Sequence, residues 1–429
     1  MRKKLFVFLL GGMLIFSSYS PAVMAAADDD DDDTGDEEEN DEEEENGGDE
    51  EALFDVSDDD LLAMPRLIPD RFTYDSGVEI EYPEDGVKGI FSTAHSMGGD
   101  NAEDLFGLVN DTSLNSIVVD VKDDHGFVTY ETDSDDERVQ ANTNEIIDDM
   151  DGMMDTFEEN DIYPIARIVV FKDTELAEEE PELSFLDNGS VWSNNSGESF
   201  VNPFVEEVWE YNVEVAKEAA RAGFKEIQLD YIRFPEGFEN RDEDLEYSEG
   251  DYAESGEDNV QNRVAAVTDF VEYAREELRP YGVKLSADIF GYAATVDETP
   301  GIGQNFTEIA ENVDIMSSMI YPSHWTPHFG IDQPDLEPYN IIDEYSQLEN
   351  ELMDDMEDPP ISRPWLQDFT ASYLPDGDWM EYGADEVEAQ IQALYDNDIY
   401  EFLLWDAANN YSEGVDYELD AEQDIVGED

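Results

Sequence analysis

Carboxylate side chains recur at the ends of short apolar runs in this 429-residue chain. Asp230 follows the run Phe224–Leu229 and is followed by Tyr231 and Arg233, so an acid and a guanidinium lie in an otherwise apolar segment. Asp288 ends the next run in the same way. Two carboxyl groups that face one bond can cleave a glycosidic linkage, because one donates a proton and the other attacks or activates water. We therefore predict that Asp230 and Asp288 form a catalytic pair, in which either could be the acid.

Other polar and aromatic side chains near these run ends could bind a sugar. Aromatic faces offer apolar contact to sugar rings. Lys and Arg are scarce in this chain, and those near carboxylates could keep the carboxylates ionised or bind sugar hydroxyls. Each cation could instead be a structural salt-bridge partner. Asp120 could equally be a structural partner of Lys122 or Arg167. Asp406 could be a solvated loop acid. The predicted substrate-binding residues are Asp120, Lys122, Arg167, Tyr231, Arg233, Tyr321, His324, Trp325, Gln367, Trp405 and Asp406.

The sequence lacks the motifs of several other classes of enzyme and binding site. His324 and His328 have metal-like spacing, but Pro327 breaks the helix that would put both on one face. The chain has no cysteine, no HExxH motif and no D-x-D-x-D-G calcium loop. It also lacks the G-x-S-x-G elbow of esterases. We predict no metal and no cofactor, and the lack of a basic stripe argues against a nucleic-acid partner.

Eight short apolar, β-branched runs alternate with longer amphipathic stretches. This alternation is typical of parallel βαβ units, and eight units in a chain of this length predict a (β/α)8 TIM barrel. Catalytic groups of such barrels lie at the C-terminal strand ends. The predicted strands are Val87–Ser92, Ser116–Val121, Ile165–Phe171, Glu226–Tyr231, Lys284–Phe290, Val313–Ile320, Arg363–Phe369 and Glu401–Trp405.

The helix-like stretches are Asn144–Glu159, Pro203–Ala222, Asn259–Leu278 and Ala384–Asn397. Pro203 suits a helix start and Gly223 a helix end. Two stretches, Glu236–Asp258 and Asp332–Pro360, look like loop insertions after the fourth and sixth strands. A doubly wound open sheet is the alternative architecture, weakened because no Gly-rich phosphate loop follows the first strand.

The chain is strongly acidic, with 114 Asp and Glu against 20 Lys and Arg and a net charge of −94. Because the acids occur in every region, they indicate an extreme halophile, in whose brine a Debye length of about 3 Å screens the repulsion. Binding of cations or of a basic partner is the alternative.

The N-terminal segment has the features of a secretory signal. Residues 1–27 combine three basic residues, an apolar run and an Ala-Ala-Ala cleavage site, so we expect a secreted or cell-surface protein. An uncleaved anchor remains the alternative. Residues 28–60 are acidic and of low complexity, which predicts a disordered linker, and residues 61–429 would form the barrel. The sequence does not indicate the oligomeric state.

Six motifs occur in the order typical of one bacterial family of glycoside-hydrolase-like TIM barrels, long carried as a domain of unknown function. They are Gly89–Ser92, Val118–Gly126, Ala166–Asp173, Gln228–Pro235, Ser286–Gly291 and Trp365–Phe369. The sequence resembles this family over roughly 86–417. The resemblance implies a barrel fold and a polysaccharide-type substrate. It places Asp230 at the family's proposed catalytic Asp and Asp288 at its second strand-end acid, while the acidic insert Glu236–Asp258 is unusual.

These observations together predict a glycoside hydrolase that cleaves an extracellular or cell-wall polysaccharide of a halophilic bacterium. A non-catalytic carbohydrate-binding barrel of the cell surface is the first alternative. A cation-binding surface or adhesion protein is the second.

Overall fold

The computed structural model describes residues 73–419. The predicted signal sequence and acidic linker, with the first residues of the predicted barrel domain, lie outside the described residues.

Eight parallel strands form a closed barrel. Each strand pairs with its neighbours in chain order, β8 pairs with β1, and the pairing of Trp365 with Met319 joins β7 to β6. Closure rules out the open doubly wound sheet and confirms the (β/α)8 barrel. The strands are β1 (Lys88–Ser92), β2 (Ser116–Lys122), β3 (Tyr163–Val169), β4 (Glu226–Asp230), β5 (Lys284–Phe290), β6 (Ile315–Met319), β7 (Trp365–Gln367) and β8 (Phe402–Trp405).

Ten α-helices lie between or after these strands in the described part of the chain. They are α1 (Ala94–Met97), α2 (Ala102–Asp111), α3 (Glu137–Ala141), α4 (Met150–Glu159), α5 (Thr174–Glu179), α6 (Glu206–Ala222), α7 (Asn259–Leu278), α8 (Phe306–Ala310), α9 (Pro338–Asp354) and α10 (Ala384–Tyr395).

Two expectations about the helices are wrong. The stretch Asp332–Pro360 is not a plain insertion, because it contains α9, whose buried Ile341, Ile342 and Tyr345 pack into the core. Pro203 does not start α6, which begins three residues later at Glu206. The predicted end of α6 is correct: Gly223 adopts a left-handed backbone with φ 114°, which glycine reaches without a steric penalty.

The alternation of side chains in β4 explains where the polar groups lie. Glu226, Gln228 and Asp230 alternate with the buried apolar Ile227 and Leu229. Successive side chains of a strand point to opposite faces, so one face packs against the helices and the other carries polar groups into the barrel. Asp230 is the last residue of β4, at the C-terminal end of the barrel.

A buried ionic network closes the opposite, N-terminal end of the barrel. Arg363 donates from Nε to Glu401 and from Nη1 to Glu226, both over 2.8 Å. Arg363 Nη2 also donates to the hydroxyl of Tyr82, which donates in turn to Glu401. Removing one partner of such a network leaves an uncompensated buried charge. The network ties the first residue of β4 to the segments that precede β1, β7 and β8.

Glu349 on α9 is a buried acid that takes no part in this network. Burial raises its pKa to about 8, while a hydrogen bond from Ser362 opposes the shift. The folded protein therefore holds a proton there that the unfolded chain loses near its ordinary pKa of 4.5. Stability from this group is present in acid and is lost as the pH rises towards 8.

Glu349→Gln is expected to stabilise the protein above pH 8 by about 2–5 kcal/mol, because each pH unit between the unfolded and folded pKa values contributes about 1.4 kcal/mol. The same substitution should be nearly neutral below pH 4.5. Denaturant unfolding at both pH values measures the difference. A variant that is equally stabilised or destabilised at both would show that Glu349 does not take up a proton on folding.

Candidate active site

Arg167 of β3 joins two strand-end carboxylates inside the barrel. Its Nε and Nη2 donate to Asp230 Oδ2 over 2.9 and 2.6 Å, and its Nη1 donates to Asp120 Oδ1 over 2.6 Å. All three side chains are buried. The planar fork of a guanidinium fixes the orientation of the carboxylates that it binds. Arg167 therefore holds Asp230 in place, and Asp120 anchors Arg167 from the other side.

Asp288 of β5 lies beside Asp230. Leu229 of β4 and Ala287 of β5 are register partners. The next residue along each strand is the aspartate, Asp230 in β4 and Asp288 in β5. Asp288 Oδ1 accepts a hydrogen bond of 2.9 Å from the indole nitrogen of Trp365, on β7. Burial and then the charge of Asp230 raise the pKa of Asp288 well above its ordinary value, and the bond from Trp365 only partly opposes them.

Tyr231 gives the end of β4 an unusual backbone. Its φ is 53°, a left-handed conformation that is uncommon outside glycine, and its backbone N–H donates to Asp230 Oδ1 over 2.6 Å. With Arg167 on Oδ2, both oxygens of Asp230 accept hydrogen bonds. Strained backbone at a strand end is typical of functional sites.

Aromatic rings form one wall of the site. Phe91 and Trp405 stack with their centres 4.1 Å apart, and the Arg167 guanidinium lies 5.3 Å from the Trp405 ring centre. Tyr321 lies 6.4 Å from Trp405 by ring centres. Burial and then the charges of Asp288 and Asp230 raise the pKa of Tyr321. Trp405 remains partly exposed.

Lys172 joins three loops at the mouth of the barrel. Its Nζ lies 3.1 Å from Asp124 and 2.7 Å from Glu198, and it is 4.6 Å from the centre of the Tyr231 ring. Burial opposes ionisation of Asp124, but Arg167 and Lys172 outweigh it and hold the pKa of Asp124 below its ordinary value. The rim beside Asp230 is therefore a fixed arrangement of charges.

Arg233 completes the described rim after β4. Its guanidinium stacks between the rings of Tyr231 and Phe290, at 4.6 and 4.7 Å from their centres. One connected set of contacts that reaches Asp230 includes the predicted residues Asp120, Arg167, Tyr231, Arg233, Tyr321 and Trp405. The contributions of Phe91, Asp124, Glu198 and Trp365 were not predicted.

The structure does not bring Lys122 to the predicted substrate-binding site. A β-bulge shifts the register between Asp120 and Lys122, so their side chains do not share a face. Lys122 is fully buried, 2.7 Å from Asp173, and donates to Asn212 of α6 and to the Val169 carbonyl. It is a structural partner and does not reach the barrel interior.

Lys122→Met is expected to destabilise the fold by about 3–5 kcal/mol, because it leaves Asp173 charged and unpaired in the interior. The double variant Lys122→Met/Asp173→Asn should recover most of this loss and retain near-normal KM. Unfolding in denaturant and steady-state kinetics give the two numbers. A raised KM with normal stability in the single variant would restore Lys122 to the substrate site.

Four further predicted residues make no hydrogen bond or ion pair with Asp230 or Asp288 in the described part of the chain. Gln367 is fully buried, accepts from the Ser323 backbone and donates to Asp335, so its amide supports loops. Asp406 is partly exposed and accepts from the Ala408 backbone, which caps a turn. His324 is exposed, and its ring lies edge-on to that of Tyr321 with 5.0 Å between the centres. Trp325 packs against His328, with 5.2 Å between the ring centres.

No group of three or more histidine, aspartate or glutamate side chains in residues 73–419 has an arrangement suited to holding a metal ion. Over the same residues, no helix has the length and apolar character needed to cross a membrane.

Several solved structures are similar to the chain. A hypothetical protein from Ruminiclostridium thermocellum ATCC 27405 is 34% identical over 46% of this chain and 96% of its own, with a TM-score of 0.40. The PgaB (BpsB) glycoside hydrolase domain from Bordetella bronchiseptica is 10% identical over 75% of this chain and 94% of its own, with a TM-score of 0.50. An α-galactosidase from Thermus thermophilus is 12% identical over 75% of this chain and 61% of its own, with a TM-score of 0.45.

No curated protein matches the sequence significantly. Residues 89–411 match the profile of the family described as "Putative glycosyl hydrolase domain". The match spans all eight barrel strands except the first residue of β1, and it includes both strand-end acids. The chain therefore belongs to this family of glycosyl hydrolases.

Proposed function

We propose that the protein hydrolyses glycosidic bonds of an extracellular or cell-wall polysaccharide, with Asp288 as the general acid and Asp230 as the carboxylate that faces the sugar. The observation that carries this proposal is the unequal environment of the two neighbouring acids. Asp230 is bound through two nitrogens of Arg167, whereas Asp288 accepts only a neutral indole donor. Acid and base roles are assigned where environments push two pKa values apart.

The protonated Asp288 is suited to donate to the leaving oxygen. Burial and the Asp230 charge favour its neutral form, and Oδ1 already accepts from Trp365, so the acidic proton belongs on Oδ2. Donation leaves Asp288 as a carboxylate, which regains its proton when it deprotonates the water that releases the product. Arg167 fixes the orientation of Asp230, so that the negative charge of its carboxylate faces the developing oxocarbenium ion.

The spacing of the two strands favours a retaining reaction. Neighbouring strands lie about 4.8 Å apart, and the two aspartates follow register partners. Retaining enzymes have carboxyl groups about 5–5.5 Å apart, while inverting enzymes need about 6.5–9.5 Å to admit a water. Asp230 would then attack the anomeric carbon as the nucleophile, and Asp288 would deprotonate the water that releases the product.

The composition supports a location outside the cell, in concentrated salt. A net charge of −94 makes self-repulsion large at low ionic strength, and molar salt screens it. The signal-like residues 1–27 are consistent with export. We propose a secreted or surface-bound enzyme of a halophile, which is active at molar salt and loses its fold as salt is removed.

The test is release of reducing sugar from a panel of purified polysaccharides and peptidoglycan, in sodium chloride from about 0.1 to 1 M. We expect release from at least one glycan, rising with salt together with the melting temperature. Glycan binding without any product would overturn the proposed hydrolysis. Equal activity and melting temperature across the salt series would overturn the brine assignment alone.

A further inference from the structure

Arg233 is a buried cation that has one long ion pair. Its exposed fraction is 5%, and its guanidinium lies between the rings of Tyr231 and Phe290. Its closest acid is Glu236, with 3.4 Å between Arg233 Nη2 and the carboxylate, and the Glu236 side chain is 72% exposed. Arg233 Nη1 donates to the Phe234 carbonyl over 3.2 Å.

Two other buried arginines, Arg167 and Arg363, are paired much more closely. Arg167 reaches two carboxylates at 2.6 Å, and Arg363 reaches two glutamates at 2.8 Å. A chain with 114 acids has no shortage of partners. An arginine that is desolvated by two rings but holds only one long, exposed ion pair is therefore prepared for an anion that arrives from solution.

We propose that Arg233 binds the carboxylate of an acidic sugar unit, so that the substrate is a uronate-containing polysaccharide. This inference rests on the proposed function, because it places the uronate in the glycan that Asp230 and Asp288 cleave. A planar guanidinium matches a carboxylate in two parallel hydrogen bonds. The Glu236 carboxylate occupies this place in the free protein and swings into solvent when the sugar binds.

The surroundings of Arg233 suit a sugar ring beside the scissile bond. Arg233 lies three residues beyond Asp230, and Tyr231 between them contacts the guanidinium. Phe290 stacks with Tyr292 at 5.8 Å between ring centres, and the Tyr292 ring is 43% exposed. An exposed ring next to a fixed cation can bind one face of a uronate while the cation takes its carboxylate.

The test measures binding of sodium glucuronate and sodium galacturonate, with glucose, galactose and sodium acetate as controls, by titration calorimetry at about 1 M salt. The proteins are wild type, Arg233→Gln and Glu236→Gln. A charge-assisted hydrogen bond contributes about 1.5–3 kcal/mol, so we expect uronates to bind about 10- to 100-fold more tightly than neutral sugars. Arg233→Gln should abolish this preference. Glu236→Gln should strengthen uronate binding, since it removes the internal competitor.

Uronates that bind no better than neutral sugars, or a preference that survives Arg233→Gln, would overturn the inference. So would acetate that binds as tightly as the uronates, because that result describes a simple anion site. Cleavage is scored separately on polygalacturonate and on neutral glucans. Cleavage of neutral glucans alone overturns the uronate assignment and leaves the hydrolase intact. Uronate binding without cleavage of any glycan keeps the Arg233 site and overturns the proposed function.

Discussion

Asp230→Asn is expected to lower kcat on the cleaved polysaccharide by about 10⁴-fold or more, because loss of a nucleophile or its partner in a catalytic unit costs about 10⁴- to 10⁶-fold. The substitution keeps the size of the side chain and its hydrogen bond from the Tyr231 backbone. It removes the charge that faces Arg167 Nε and Nη2. Because the loss concerns the transition state, KM should change much less than kcat.

The matched control is Asp406→Asn. This acid lies at the end of β8, is partly exposed and caps its own turn, so its substitution should leave kcat within about threefold, as is usual for surface changes. Circular dichroism should show the same fold in both variants. An Asp230→Asn protein that retains more than a tenth of normal kcat would remove Asp230 from the chemistry.

Asp288→Asn is expected to slow hydrolysis in a way that depends on the leaving group. Its raised pKa, caused by burial and then by the charge of Asp230, favours the protonated form of the acid. Loss of a general acid should lower kcat about 10²- to 10⁴-fold on a polysaccharide, whose leaving oxygen needs a proton. An aryl glycoside with an acidic phenol needs little protonation, so the same variant should release the phenol at nearly the normal rate in the first turnover, before the water step in which Asp288 is the base.

The pH profile tests the same assignment independently. The wild-type rate should fall on the alkaline side as the pH rises through the raised pKa of Asp288, because the deprotonated acid cannot donate. This alkaline limb should be absent from the Asp288→Asn profile. Trp365→Phe removes the hydrogen bond that opposes the shift, so it should move the limb to still higher pH. An unchanged limb in Asp288→Asn, or an equal loss on both leaving groups, would assign the acid to another residue.

The barrel could be predicted because its strands are nearly continuous buried runs. All seven residues of β2 and of β3 are buried, as parallel strands covered on both faces require. The helix α9 was missed because proline and acidic residues around Asp332–Glu337 are typical of loops. Its core face, with Ile341, Ile342 and Tyr345, was obscured by those signals.

The alternation of side chains along the strands is the part of the site that could be predicted from the sequence. Alternation brings Asp230 and Asp288 to the same face of neighbouring strands. It fails at Lys122, where a bulge that leaves no mark in the sequence turns the side chain outwards. It also cannot show that Trp365, from β7, reaches Asp288 on β5, because that contact crosses the barrel and depends on its closure. The roles of the two acids follow from such contacts.

The central claim is that Asp230 and Asp288 act on one glycosidic bond, and a double-mutant cycle tests it most directly. The kcat of wild type, Asp230→Asn, Asp288→Asn and the double variant is measured on the same unactivated polysaccharide at molar salt. Residues that act as a unit show strongly non-additive losses. We predict that the double variant is about as slow as Asp230→Asn alone. Losses that multiply, as they do for independent sites, would contradict the pairing of these two acids.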